Sequence, residues 1–186
     1  MTADKLSGLE KAIEVKFPGL PRQRLGDALV VWVTPGDLVQ TMTRLRDDPE
    51  LDFKLMVDLA GVHYPGRGGG GRDFDLVYQL LSVHRNHRIR VKLEVDDRTL
   101  VPSVSGVWSC ANWFEREAYD LFGILFSGHP DLRRILNDYD FEGYPLRKDF
   151  PVTGLVEVCY DDVQRRVVKK AVDLKRGDRE PYRQIV

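Results

Sequence analysis

The sequence has few cysteines and no long apolar run, and each absence excludes a class of protein. Only Cys110 and Cys159 occur, without a C-x-x-C pair, so the chain alone cannot build a sulfur-ligated zinc or iron–sulfur centre. No stretch approaches about eighteen uncharged apolar residues, so we expect no membrane span. The first residues resemble neither a signal peptide nor a mitochondrial transit peptide. These absences favour a soluble, intracellular protein, and two lone thiols fit a reducing compartment.

Strong net charge and common catalytic motifs are also missing. The formal net charge is −1, so no global basic field suggests a nucleic-acid partner. The four histidines form no H-E-x-x-H or E-x-x-H motif of a metal site. Four consecutive glycines, 68–71, lack the G-x-x-x-x-G-K-[ST] spacing of a phosphate-binding loop. We expect a flexible surface loop there.

Hydrophobic periodicity predicts an α+β fold, in which a mixed sheet of four to five strands packs against helices and an extended C-terminal arm follows. The strand at 87–95 alternates apolar and charged residues, as expected when one sheet face is buried. Thr34 is expected to cap the second helix, with Pro35 at its first position. The predicted segments are helices to about residue 15 and over 34–47, and strands at 27–34, 53–60, 73–83 and 87–95, the last two joined by a hairpin.

We expect an α+β domain over 1–150 and an extended arm over 151–186. Between Asp161 and Val186 there are eight Lys/Arg against five Asp/Glu, and no strong period emerges. The last 25 or so residues cannot bury much by themselves, so we expect them to be disordered or ordered by a partner.

The segment NWFEREAYDLFG, residues 112–123, predicts a third helix over 113–122. Asn112 is a good N-cap, Glu115 would complete a capping-box-like pair, and Gly123 sits where a C-cap is wanted. On a helical wheel of this segment, the two phenylalanines, the alanine and the leucine lie on one face. The helix is therefore expected to be amphipathic.

The charges on this helix leave several interpretations open. Arg116 and Asp120 are spaced as an i,i+4 ion pair on the polar face. Glu115 and Glu117 flank the apolar stripe about 160° apart at 100° per residue, which disfavours a two-carboxylate active site. Ordinary helix stabilisation, acid/base chemistry and the rim of a docking surface all remain candidates at this point.

Two similar turns follow the helix. GHPDLRRIL (128–136) and GYPLRKDFP (143–151) each contain glycine, a ring-bearing residue, proline, leucine and a basic pair. Rigid turns that display arginine suit protein recognition, although an anion site is also conceivable.

These segments resemble the C subunit of the proton-translocating NADH:quinone oxidoreductase, the respiratory complex I 30 kDa subunit family. The resemblance is carried by NWFEREAYDLFGILFSGHPDLRRIL and GYPLRKDFP, supported by DLAGVHYP, FDLVYQLLS, RIRVK and VPSVSGVWSCANW. It covers roughly residues 25–170.

The resemblance implies a non-catalytic peripheral-arm subunit without a prosthetic group. It would contact the D subunit of the complex beside the quinone site, while FMN and iron–sulfur clusters reside on partner subunits. Membrane association would occur only through the complex, on the cytoplasmic side of a bacterial inner membrane, and the arm at 151–186 would dock on partners. The expected interface residues, some of which could instead pair with one another, are Glu115, Arg116, Glu117, Asp120, His129, Arg133, Arg134 and Arg147.

Two alternatives stay open on the sequence alone. One is the equivalent subunit of a membrane-bound hydrogenase or formate hydrogenlyase, whose members resemble this family. The other is an autonomous enzyme that uses the acidic helix.

Overall fold

The structure, a computed structural model, describes residues 3–26, 28–67 and 73–172. The predicted glycine loop at 68–71 and the end of the predicted arm, from residue 173, lie outside the described residues. The chain divides into two compact units, Met1–Lys148 and Asp149–Val186, which are described separately below.

The first unit is built on a five-stranded mixed sheet with the order β1-β2-β5-β4-β3. β2 and β5 are parallel, and the other neighbours are antiparallel. Together with its helices this sheet confirms the predicted α+β fold. The strands are β1 Arg22–Leu25, β2 Ala28–Trp32, β3 Leu55–His63, β4 Phe74–Ser82 and β5 His87–Val95.

In the described part of the chain three α-helices accompany the sheet, and α3 contains the segment 112–122 discussed above. They are α1 Ala3–Lys16, α2 Leu38–Asp47 and α3 Ala111–Phe122, with a short parallel strand pair, β6 Leu100–Pro102 and β7 Leu125–Ser127. A 3₁₀ turn, Pro35–Asp37, precedes α2. Thr34 occupies the N-cap position of this turn and Pro35 follows it, as predicted, but the expected side-chain cap is wrong, because the Thr34 hydroxyl donates to the Asp37 carboxylate at 2.6 Å.

The helices of the described part cover only one face of the sheet. Ile89, Val91 and Leu93 of β5 share one buried core with helix residues such as Ile13 and Met42. The intervening β5 residues are the charged ones that the alternation placed on the other side, so the predicted burial pattern of β5 is confirmed. We call the opposite side the open sheet face.

The second unit contains an antiparallel hairpin, β8 Val156–Asp161 with β9 Arg166–Ala171. The Asp161 carboxylate accepts the N–H groups of Val163 and Gln164 in the turn, an arrangement that favours chain reversal. The sequence analysis did not predict this hairpin. Two short strands around a four-residue turn give too weak a period to be recognised in the sequence.

Gly61 of β3 faces α3 and leaves room for its last aromatic ring. A Cβ at residue 61 would lie 2.6 Å from Phe122 Cδ2. We expect Gly61→Ala to lower the free energy of unfolding by about 1–3 kcal/mol through overpacking. Urea titration measures this, with Gly106→Ala as control, since a Cβ there meets nothing within 4 Å. Equal stability of both variants would contradict the close packing of α3 on β3.

Candidate functional site: the α3–hook surface

The helix α3 begins earlier than its sequence indicated. Cys110 occupies the N-cap position without a side-chain cap hydrogen bond, and Asn112 lies within the helix. The predicted Asn112 cap and the Glu115 capping box are therefore wrong, because Glu115 turns inward instead. The predicted end is confirmed, since Gly123 adopts a left-handed φ of 76° and its N–H donates to Tyr119 O.

The two predicted turns belong to one irregular segment that follows α3. Residues 128–148, here called the hook segment, contain no helix or strand. The backbone N–H and C=O groups of such a segment need partners outside a regular ladder. Charged side chains of α3 provide many of these hydrogen-bond partners and thereby stabilise the conformation of the hook segment.

Asp120 makes the largest set of these bonds. Its buried carboxylate accepts the backbone N–H groups of Ile135, Leu136 and Asn137 through Oδ2, at 3.0, 2.7 and 2.8 Å. Oδ1 accepts Arg134 Nη1 at 2.7 Å and Asn137 Nδ2 at 3.0 Å. Burial alone would raise the pKa of Asp120, but these hydrogen bonds favour the ionised form and hold its pKa well below the usual range.

Arg116 holds the same segment by donating hydrogen bonds to its backbone carbonyl groups. Its buried side chain donates from Nε to Arg133 O at 3.2 Å and from Nη2 to Arg134 O at 3.1 Å. The guanidinium carbon also lies 5.5 Å from the centre of the Trp113 ring. The predicted Arg116–Asp120 ion pair is wrong, because each residue binds the hook segment instead.

The second turn is held at the end of α3. Arg147 Nε donates to Phe122 O at 2.6 Å, and its guanidinium carbon lies 4.6 Å from the Tyr144 ring centre. A Cβ at Gly123 would lie 2.6 Å from both Arg147 Nη2 and Tyr144 Cε2. Gly123 therefore provides both the left-handed cap and the space that the second turn needs.

Glu115 binds the segment that follows β6, and His129 joins the hook segment to the beginning of α3. The fully buried Glu115 accepts Val104 N–H at 2.7 Å and the Ser103 hydroxyl at 2.6 Å. Burial raises the pKa of Glu115, partly offset by these bonds. His129 accepts Asp131 N–H at Nδ1, so Nε2 carries the proton and donates to Asn112 O at 3.1 Å.

The two remaining predicted interface residues, Arg133 and Glu117, are exposed. Arg133 donates to Asp131 Oδ2 at 2.7 Å and to the Tyr139 hydroxyl at 2.9 Å. Glu117 is exposed and makes no ion pair or hydrogen bond with any described residue. Buried Glu115 and exposed Glu117 are thus in different environments and do not converge on one substrate site.

Exposed apolar residues lie on the same elements, and sequence reasoning missed the three most exposed ones. The exposed fractions are 64% for Trp113, 64% for Leu136 and 76% for Tyr139. Trp113 could have been recognised because it lies outside the apolar stripe of the helical wheel. We call Trp113, Glu117, Leu136 and Tyr139 the α3–hook surface.

Within residues 3–26, 28–67 and 73–172, no cluster of three or more His, Cys, Asp or Glu side chains could hold a metal ion. No helix of this described part is both long and apolar enough to cross a bilayer.

The exchange Asp120→Asn removes the charge while keeping the size of the side chain. We expect it to lower the free energy of unfolding by about 3 kcal/mol or more, because Arg134 loses its partner and three backbone donors lose a carboxylate. Hydrogen exchange of the hook amides and urea titration measure this. Glu117→Gln is the matched control, and an equal effect of both would contradict the bracing role.

The pH dependence follows from the lowered pKa of Asp120. Its contribution to stability is complete above the unfolded pKa, about 3.9, and is lost as the pH falls towards the lower folded pKa. We therefore expect the unfolding free energy of the unmodified chain to fall more steeply below about pH 4 than that of Asp120→Asn. Urea titrations from pH 7 to pH 3 test this, and parallel curves would contradict it.

Comparison with known proteins agrees with the motif resemblance. The model of the family described as "Respiratory-chain NADH dehydrogenase, 30 Kd subunit" matches residues 31–156. A protein of Methylobacterium sp. (strain 4-46), named as the C subunit of NADH-quinone oxidoreductase, is 55% identical over 154 residues, covering 83% of this chain and 70% of that protein. The protein of the same name from Brucella abortus (strain 2308) is 53% identical over 171 residues, covering 87% and 83%.

The chain is also similar to a solved structure. A chain of the membrane-bound sulfane sulfur reductase (MBS), described as an archaeal respiratory membrane complex, matches with a TM-score of 0.66 and 26% identity, covering 78% of this chain and 85% of that chain. The names of the sequence relatives do not favour the hydrogenase or formate hydrogenlyase alternative. The chain belongs to the family of the 30 kDa subunit of respiratory-chain NADH dehydrogenase.

Proposed function

We propose that this chain is a non-catalytic scaffold subunit in the peripheral arm of a proton-translocating NADH:quinone oxidoreductase. It lies beside the D subunit, which shapes the quinone site, on the cytoplasmic side of a bacterial inner membrane. Electrons pass from NADH to quinone through FMN and iron–sulfur clusters on partner subunits. This chain holds neighbouring subunits in place and carries out no chemical step itself.

The observation that carries this proposal is the internal bracing of the hook segment. Asp120 and Arg116 direct their polar groups to its backbone, so that segment is fixed before any partner binds. A preorganised surface loses less conformational entropy on association than a flexible one. The exposed aromatic and aliphatic side chains of the α3–hook surface are of the types that dominate interface energies.

Purification from the native host tests the assignment. The chain carries an affinity tag, the membranes are solubilised gently, and NADH:quinone reductase activity of the recovered assembly is measured. We expect that activity to co-purify with subunits bearing FMN and iron–sulfur clusters. Recovery with hydrogenase or formate-oxidising activity, or recovery of the chain alone, would contradict the proposal.

The contribution of the α3–hook surface can be tested in the same preparation. We expect Trp113→Ala combined with Tyr139→Ala to reduce retention of the chain in the complex about tenfold or more, since a central aromatic contact is worth about 2 kcal/mol. Its unfolding free energy in isolation should change by less than about 1 kcal/mol, because both side chains are exposed. Val15→Ala is the control, on an α1 residue that is 79% exposed. Unchanged retention of the double variant would contradict docking through this surface.

A further inference from the structure

The open sheet face carries a groove near the turn between β4 and β5 that is lined by both apolar and polar side chains. Its volume is about 420 Å³, and its lining includes Val57, Leu81 and Ala28. Val57 is the extra residue of a bulge in β3 and is 53% exposed. Leu55, paired with Leu81 in the sheet register, is 47% exposed. No helix of the described residues covers this apolar area.

Two arginines of β5 border the groove without a partner. Among the residues that the structure describes, Arg88 and Arg90 are the only charged ones that line it, and neither makes an ion pair or side-chain hydrogen bond with another of them. They alternate along the strand and are therefore on the same face, about 7 Å apart. Their register partners on β4 are Leu81 and Gln79, which supply no charge.

Other cations of the same sheet are neutralised within the chain. Lys92, one step further along the open sheet face, lies 2.8 Å from the Asp75 carboxylate, which also accepts Arg67 Nη1 at 2.6 Å. On the helix-covered side, Arg22 and Arg24 of β1 pair with glutamates of α1. Arg88 and Arg90 differ from these cations because their charge has no acceptor in the described chain while apolar side chains lie beside them.

We propose that the open sheet face is a second docking site, which binds a segment of a partner polypeptide with an apolar stripe and acidic side chains next to it. Acids at i and i+4 of a helix are about 6 Å apart, a spacing that suits the two arginines, and guanidinium–carboxylate pairs can be bidentate. The groove would take the apolar stripe. The proposal rests on the proposed function in one respect, since the partner is another polypeptide of the same assembly.

Site-specific photo-cross-linking tests this. A photoreactive phenylalanine replaces Val57 in the tagged chain, the assembly is purified from the native host and irradiated, and cross-linked peptides are identified by mass spectrometry. We expect one dominant peptide from another polypeptide, with two or more Asp or Glu within one helical turn of an apolar stripe. The same probe at Val15 of α1 is the control and should not capture that peptide.

Charge reversal provides an independent measurement. We expect Arg88→Glu combined with Arg90→Glu to reduce the Val57 cross-link about tenfold or more, as loss of interfacial charge pairs predicts. The Gln double variant should have a smaller effect in the same direction. The control, Lys11→Glu with Arg98→Glu, changes two exposed cations elsewhere and should leave the cross-link unchanged. Urea titration of each isolated variant checks folding.

The outcomes separate the two proposals. Co-purification of NADH:quinone reductase without a Val57 cross-link would overturn the second docking site and leave the proposed function intact. A cross-link to lipid, to a second copy of this chain, to a segment of the chain itself or to a basic segment would also overturn it. Recovery of the chain alone, without a cross-link, would overturn both.

Discussion

The buried carboxylate of Asp120 is the interaction on which the α3–hook surface depends. Five hydrogen bonds converge on its two oxygens, three of them from consecutive backbone amides. An irregular segment has no neighbouring strand to satisfy those amides, and leaving them unpaired next to a helix would cost free energy. One helical residue thereby replaces a ladder of backbone bonds. Its ionisation is retained because the donors outweigh the cost of burial.

The other charged residues of the motif follow the same principle. Arg116 and Arg147 each donate to backbone carbonyls rather than to a nearby carboxylate, and Glu115 accepts a backbone N–H from the β6 side of the helix. A charge used in this way is not available for a partner. In the proposed docking, recognition would fall to the uncharged side chains of the α3–hook surface, together with the exposed carboxylate of Glu117.

The sequence allowed the helices and the central strands to be predicted because their signals are local. Leu6 and Leu9 recur at helical spacing, and the alternation of β5 predicts its buried face. β1 could not be recognised, because its arginines are stabilised by glutamates of α1 that lie several residues earlier in the chain. For the site, the motif identified the family, but the partners of Asp120 lie 14 to 17 residues further along the chain. Periodicity within the helix therefore suggested Arg116 as its partner, and only the three-dimensional arrangement shows Arg134.

The proposed scaffold role requires a rigid connection between the two proposed docking surfaces. α3 packs on β3 through the contact of Phe122 with Gly61, and β3 pairs along its length with β4. The open-face side chains of β3 and β4 then form one side of the groove that Arg88 borders. The α3–hook surface and the groove are thus joined by a close-packed core, which resists deformation, and by the β3–β4 pairing, which is interrupted at the Val57 bulge. Under the two docking proposals, partners bound at these surfaces would be held at a fixed separation, as the proposed scaffold role requires.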